Sequence, residues 1–211
     1  MHETPSAAVE AAKAGLRRQV LAARAQIPPD LRNERGRLIR DHLLSLPEVA
    51  AAGTIAAYCS IDTEPPTGSL LYALWKRGSY VVLPVLLPDG DLDWASYEGP
   101  DSLVPGRFGL REPAEPRRGA ATVSRADIVL VPALAVDTAG ARLGRGGGSY
   151  DRALARVGPQ VPVIALLYDD ELVPSVPVAP HDRPVRAVVR PAHGITRLPA
   201  RLCLAVGLRE C

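Results

Sequence analysis

The strongest chemical signal in this 211-residue sequence is a glycine-rich run between positions 142 and 151. The run contains Arg142, Leu143, Gly144, Arg145, Gly146, Gly147, Gly148, Ser149, Tyr150 and Asp151. Consecutive glycines can turn successive backbone N–H groups toward one point. A helix predicted to follow adds further unpaired N–H groups, and two arginines add positive charge. The run therefore favours phosphate binding, with a flexible turn as the alternative. It matches neither a Walker A loop nor a dinucleotide fingerprint.

A basic stripe on the first predicted helix, residues 6–26, is the second signal. Lys13, Arg17 and Arg24 project within roughly 40° of one another at 100° per residue. Lys13 is also one of only two lysines among the 25 basic residues. Like charges at this spacing destabilise a helix by a few tenths of a kcal/mol, so the stripe indicates an anionic partner, with a solvated charged face as the alternative. An adjacent apolar stripe is predicted at Leu16, Val20, Ala23 and Ile27.

Two carboxylates are candidate ligands, and a third carboxylate follows a histidine. Asp151 stands in the first turn of a predicted helix, where it either complements the helix dipole or holds Mg²⁺ beside phosphates. Glu64 follows a predicted strand, where it either faces a ligand crevice and accepts hydrogen bonds from a ring amine or is an ordinary loop acid. Asp182 follows His181 in a proline-bounded loop. No zinc spacing, nucleophile elbow or hydrolase triad accompanies them.

The elements that must position these residues alternate between strands and helices. Helices are predicted at 6–26, 30–45, 67–77 and 149–157, and strands at 54–60, 80–87, 92–98, 128–136, 161–168 and 185–190. Apolar strands alternating with helices predict a mostly parallel sheet covered on both faces. An antiparallel pair within 80–98 makes the sheet mixed. Residues 99–126 are rich in glycine and proline, which indicates a functional or disordered loop.

Composition limits the protein classes. With 25 basic against 23 acidic residues, the net charge is +2, and 47% of residues are hydrophobic. These values favour one folded domain, which we place at 1–190, with a tail of unknown role at 191–211. The longest apolar run has about nine residues, short of the roughly 18 that a membrane span needs. Three isolated cysteines and no secretion signal predict a cytoplasmic protein.

Several motifs together resemble the 5-formyltetrahydrofolate cyclo-ligase family. Residues 131–137 followed by 142–152 resemble its signature, and four further elements occur in the family's order. These are Lys13-x-x-x-Arg17 with Arg24, Glu64-Pro-x-Thr67, Phe108-Gly109-Leu110-x-Glu112-Pro113 and Pro180-His181-Asp182. The resemblance covers roughly residues 10 to 190. One departure is Ser149-Tyr150, where the family often has Tyr-Tyr, and the tail matches nothing in the family.

The resemblance implies a three-layer α/β/α fold and a ligase. The implied reaction converts 5-formyltetrahydrofolate and ATP to 5,10-methenyltetrahydrofolate, ADP and phosphate, with Mg²⁺, through phosphorylation of the formyl oxygen. Lys13 and Arg17 would contact the ATP phosphates, and residues 142–150 would form the nucleotide loop. Within that loop, Arg145, Gly146, Gly147, Gly148 and Ser149 would also face the folate. Glu64 would bind the folate ring, Asp151 and Asp182 would hold Mg²⁺, and Arg145 and Lys13 would be catalytic.

Two other classes are weighed against this interpretation. One is another phosphate-ligand enzyme of a related fold, such as a sugar-phosphate isomerase. The other is a non-catalytic nucleotide- or RNA-binding module, which the net charge of +2 and only nine aromatic residues do not favour. We expect reduced folate and ATP as the partners, no nucleic acid, no membrane, and a monomer.

Overall fold

The computed structural model describes residues 5–199. This part of the chain forms five α-helices and twelve strands. The helices are α1 (Pro5–Ala25), α2 (Pro29–Leu44), α3 (Pro47–Ala51), α4 (Gly68–Lys76) and α5 (Ser149–Leu154). The strands are β1 (Thr54–Ala56), β2 (Tyr80–Leu86), β3 (Leu92–Ser96), β4 (Leu103–Pro105), β5 (Arg111–Pro113), β6 (Ile128–Pro132), β7 (Ala135–Asp137), β8 (Arg142–Leu143), β9 (Val163–Leu166), β10 (Leu172–Val173), β11 (Ala187–Arg190) and β12 (Gly194–Arg197).

A seven-stranded sheet in the order β12-β11-β9-β6-β1-β2-β3 forms the centre of the fold. The five inner strands are parallel, and the two edge strands, β12 and β3, each run antiparallel to their neighbour. Parallel strands need crossover connections and cover on both faces, which explains their continuous apolar sequences. The predicted mixed, mostly parallel sheet is confirmed.

Alternate residues of the strands pack against different layers. Ile128 and Leu130 of β6 face a core shared with α2, α3 and α4, whereas Val129 and Val131 face a second core shared with α5. A period of two is what a pleated strand requires when both faces are buried. The α/β/α class is therefore confirmed.

Helix α1 lies against a smaller sheet. Strand β7 pairs parallel with β10 and antiparallel with β8. Val20 of α1 joins Leu134 and Leu143 in a third apolar cluster, which attaches the helix next to the glycine run. No helix among the described residues has the length and apolar content that a membrane crossing requires.

The structure corrects several predicted boundaries. The strand predicted at 128–136 is two strands, β6 and β7, which belong to different sheets, so the chain changes direction at Ala133–Leu134. The segment 99–126 is not only a loop, because β4 and β5 form an antiparallel hairpin within it. The predicted helix at 149–157 ends at Leu154. Strand β12 lies in the segment predicted as a tail, whose residues 200–211 are outside the described part. The domain boundary at 190 stays a prediction.

Candidate active site

A cavity of about 480 Å³ opens at the carboxyl ends of the inner strands. Residues that follow β1 and β6 line it, as is usual for ligand crevices in open α/β sheets. All predicted site residues lie on its wall: Lys13, Arg17, Glu64, Arg142, Leu143, Gly144, Arg145, Gly146, Gly147, Gly148, Ser149, Tyr150, Asp151 and Asp182. Segments far apart in the sequence therefore meet at one surface.

The glycine run and helix α1 are in direct contact. The Arg17 Nε donates a hydrogen bond of 3.0 Å to the Gly144 carbonyl. Gly146 has a φ of +105°, and a Cβ there would lie 3.3 Å from the Arg17 Cζ. Gly148, with a φ of +68°, is the residue before α5. Left-handed backbone at these two positions favours glycine, which explains why the turn needs this sequence.

Lys13 is nearly buried and forms an ion pair with Asp182. The Lys13 Nζ lies 2.5 Å from Oδ2 of Asp182, which also accepts the Ala179 N–H at 2.7 Å. Burial alone would raise the pKa of Asp182, but the two hydrogen bonds outweigh burial and hold that pKa below its ordinary value. The charged pair joins the first helix to a loop 169 residues further along the chain.

Arg142 forms a second ion pair at the cavity. Its Nη2 donates to Oδ1 of Asp151 at 2.8 Å, and the Arg183 N–H donates to the same oxygen at 3.1 Å. The Arg142 guanidinium also lies 5.9 Å from the centre of the Tyr150 ring. Burial of Tyr150 raises the pKa of its phenol well above the ordinary range, so the ring is neutral.

Glu64 is almost completely buried, with 7% of its surface exposed. Its Oε2 accepts the Ile61 N–H at 3.0 Å, and Oε1 lies 3.3 Å from the Arg145 Nε. The same guanidinium reaches Asp62 at 3.2 Å. Burial raises the pKa of Glu64, and the Ile61 N–H and the Arg145 charge offset part of that rise. The carboxylate is thus positioned to accept a hydrogen bond from a ligand.

Arg24 does not contribute to the cavity wall. It is 1% exposed, and its Nε and Nη2 donate to the two carboxylate oxygens of Glu171 at 2.6 and 2.8 Å. Nη2 also donates to the Ala133 carbonyl at 2.7 Å. The anionic partner predicted for the basic stripe is therefore, at Arg24, a carboxylate of the protein itself. The predicted apolar stripe is wrong at Ala23, which is exposed.

The sequence analysis did not predict the apolar wall of the cavity. This wall is formed by Tyr58, Pro84, Leu86, Leu92, Phe108 and Leu110. The first four belong to strands or strand ends, where the carboxyl-edge rule could have found them. Phe108 lies at the tip of the β4–β5 hairpin and is 78% exposed. The β4–β5 hairpin was not predicted, because the segment that contains it, 99–126, was predicted as a loop.

Two carboxylates could hold a divalent cation. Within residues 5–199 no group of three or more His, Cys, Asp or Glu side chains forms a metal centre. Mg²⁺, however, uses one or two protein carboxylates and completes its shell with phosphate oxygens and water. Among the described residues, no hydrogen bond reaches Oδ2 of Asp151 or Oδ1 of Asp182. The donor set therefore fits Mg²⁺ held jointly with a phosphate ligand.

The fold and the cavity define an α/β enzyme whose site lies at the carboxyl edge of its sheet. Residues 9–191 match the model of the 5-formyltetrahydrofolate cyclo-ligase family. A 5-formyltetrahydrofolate cyclo-ligase of Mycolicibacterium smegmatis is 40% identical over 191 residues, which cover 88% of this chain and 97% of that one. One of Escherichia coli is 35% identical over 172 residues, 80% and 94% of the two chains.

A solved structure agrees with this result. The 5,10-methenyltetrahydrofolate synthetase of Aquifex aeolicus superposes with a TM-score of 0.77 at 28% identity, over 94% of this chain and 95% of that one. The chain belongs to the 5-formyltetrahydrofolate cyclo-ligase family, and it is a ligase.

Proposed function

We propose that the protein converts 5-formyltetrahydrofolate and ATP to 5,10-methenyltetrahydrofolate, ADP and phosphate. The observation that carries the proposal is that one cavity is lined by the cations of α1, the glycine run, Glu64 and both aspartates. A phosphate donor and a folate can therefore meet within one enclosed volume. Membership of the family supports the same reaction.

The phosphate end of the cavity is built from cations and backbone amides. Lys13, Arg17 and Arg145 would neutralise the charge of the transferred phosphoryl group. The N–H groups of Gly146, Gly147 and Gly148 would bind its oxygens. Phosphoryl transfer needs positioning and charge neutralisation more than it needs a covalent nucleophile. This requirement suits a site without a catalytic triad.

Asp151 and Asp182 are the residues that would hold Mg²⁺. The ion, when bound, would draw charge from the phosphate oxygens. Each aspartate keeps one oxygen outside its pair with arginine or lysine, so neither must leave that partner. The Oδ1 of Asp182 lies 3.7 Å from the Nε2 of His181, an exposed side chain. In this proposal those ion pairs fix the direction of the remaining oxygens.

The folate end is formed by Glu64 and the apolar wall. The Glu64 carboxylate would accept hydrogen bonds from ring N–H groups, and Tyr58, Leu86 and Phe108 would cover the ring system. The γ-phosphoryl group of ATP is transferred to the formyl oxygen, and ADP is the other product of this step. N10 of the same folate then attacks the formyl carbon, phosphate departs with the former formyl oxygen, and N10 loses its proton. The main contributions of the protein are to hold N10 beside the activated formyl carbon and to neutralise charge during phosphoryl transfer.

The test is a spectroscopic assay with 5-formyltetrahydrofolate, ATP and Mg²⁺, which follows the absorbance of the methenyl product. We expect Arg145→Ala or Asp151→Ala to lower turnover at least about tenfold, equivalent to roughly 1.4 kcal/mol in the barrier. Arg125→Ala, at an exposed residue outside the cavity, is the control and should retain the wild-type rate. Product formation in excess chelator or without ATP would refute the proposal. A wild-type rate in either cavity variant would refute the role given to that residue. The monomeric state and the cytoplasmic location stay predictions.

A further inference from the structure

The Arg152 guanidinium connects two turns that both line the cavity. Its Nη2 donates to the Gly90 carbonyl at 2.5 Å and to the Gly147 carbonyl at 3.2 Å. Gly90 belongs to the turn between β2 and β3, and Gly147 belongs to the glycine run. A single side chain therefore joins the glycine run to the turn between β2 and β3.

The two turns have backbone conformations that make room for this guanidinium. Gly90 has a φ of +81°, and a Cβ there would lie 2.8 Å from the Arg152 Nη2. Gly148 has a φ of +68°, and a Cβ there would lie 3.1 Å from Nη1. Any other residue type would bring both backbone strain and a close contact. Two glycines from distant segments thus surround the same charged group.

The bond to Gly147 fixes the direction of a neighbouring N–H. In a trans peptide, the C=O of one residue and the N–H of the next point in opposite directions, and no cis peptide occurs in the described chain. Since the Gly147 carbonyl points to Arg152, the Gly148 N–H points away from it. We propose that Arg152 is a positioning residue that orients the Gly148 N–H, and through it the glycine run, toward the phosphates of the nucleotide. This inference rests on the proposed function for the identity of that ligand.

The turn that follows α5 supplies a matched control. Arg156, one turn after Arg152, forms a two-pronged ion pair with Asp91 at 2.5 and 3.0 Å. It ties α5 to the same β2–β3 turn, but it makes no hydrogen bond to the glycine run. Arg156→Gln also removes one positive charge and one contact with the β2–β3 turn. Comparison with Arg152→Gln therefore distinguishes a general loss of attachment of α5 from a loss of orientation in the glycine run.

The experiment compares Arg152→Gln, Arg152→Lys and Arg156→Gln by steady-state kinetics and by hydrogen exchange of the peptide that covers residues 144–150. We expect Arg152→Gln to raise the KM for ATP about tenfold while the KM for 5-formyltetrahydrofolate stays within about twofold. The loop amides should exchange several-fold faster. Arg152→Lys should recover part of both effects, because an ammonium can still donate but lacks the guanidinium fork. Arg156→Gln should match the wild type in both measurements.

Gly90→Ala provides a second test without changing Arg152. Its Cβ would displace the guanidinium, so the variant should reproduce the defect of Arg152→Gln, and the double variant should be no worse than either one. Unchanged nucleotide KM and loop exchange in Arg152→Gln, or the same defect in Arg156→Gln, would overturn the inference. If the wild type makes no methenyl product, the proposed function fails. Hydrogen exchange then still decides whether Arg152 orders the run.

Discussion

The buried ion pair between Arg24 and Glu171 allows a quantitative prediction about how α1 is attached. Glu171 is 6% exposed, and its two oxygens accept three hydrogen bonds, two from Arg24 and one from the Tyr168 N–H. Burial alone would lower the pKa of Arg24, but Glu171 outweighs burial and raises it, so the guanidinium stays charged. Glu171→Gln keeps the shape of the side chain and removes its charge.

The substitution leaves a buried cation without its counter-charge. Breaking such a pair costs about 3–5 kcal/mol, far more than the net contribution of the intact pair. With a urea dependence of about 2 kcal/mol per molar, the unfolding midpoint should fall by roughly 1.5–2.5 M. The control is Asp41→Asn, which breaks an exposed pair of 2.8 Å with Arg40 and should cost less than about 1 kcal/mol.

A double-mutant cycle completes the test. Arg24→Met removes the charge that Glu171→Gln leaves unpaired, so the combined loss should be smaller than the sum of the single losses by about 2 kcal/mol. The prediction is wrong if the free energy of unfolding of Glu171→Gln is within about 1 kcal/mol of the wild-type value, or if the effects of the two substitutions are additive. In either case the ion pair does not attach α1 as its geometry indicates.

Three further outcomes follow from the structure. Gly146→Ala should raise the KM for ATP about tenfold, because its Cβ would press on Arg17. Gly78→Ala, with a similar φ of +87° and open space around it, should cost only about 1 kcal/mol of stability and leave the KM unchanged. Since burial raises the pKa of Glu64, kcat/KM for the folate should fall as the pH is lowered through that raised pKa, and Glu64→Gln should remove this acid limb of the pH profile. Thr67→Val should lower the unfolding free energy by about 1–3 kcal/mol in urea titrations, because the Tyr58 carbonyl, which is buried, and the Ser60 N–H, which is partly buried, both lose the hydroxyl as a partner. A loss below about 0.5 kcal/mol would contradict this.

Local periodicity was sufficient for six of the seven strands of the central sheet, and it missed the edge strand β12. Apolar runs such as Tyr80–Leu86 have strand composition and are bounded by turn residues, so the element type follows from the run itself. The predictions failed where an element was too short to show a period. Strands β7 and β8 have three and two residues, and their pairing depends on contacts that no local pattern records. The division of 128–136 into two strands is the clearest case.

The candidate site was predictable where its chemistry lies within one segment. The glycine run carries its own signal, because only glycine adopts the left-handed backbone at Gly146 and Gly148 without strain. The ion pairs carry no such signal. Arg145 and Glu64 are 81 residues apart, and nothing in either segment indicates the other. Thr67 shows the same limit, since it directly precedes α4, but its hydroxyl bonds the loop after β1 instead of the helix.

Helix α1 shows why sequence patterns misjudge a basic face. Hydrophobic periodicity assigns burial by side-chain polarity, so it placed Ala23 inside and left the basic stripe facing solvent or a ligand. In the structure, Lys13 and Arg24 are as buried as Val20, because each cation has a carboxylate from a distant loop. The free-energy cost of burying a charge is offset only when a carboxylate of this kind lies beside it. The tertiary fold determines which carboxylate that is. Positions 13, 17, 20 and 24 have the four-three-four spacing of a buried helix face. A cation at such a position therefore indicates a buried ion pair as readily as a contact with a ligand.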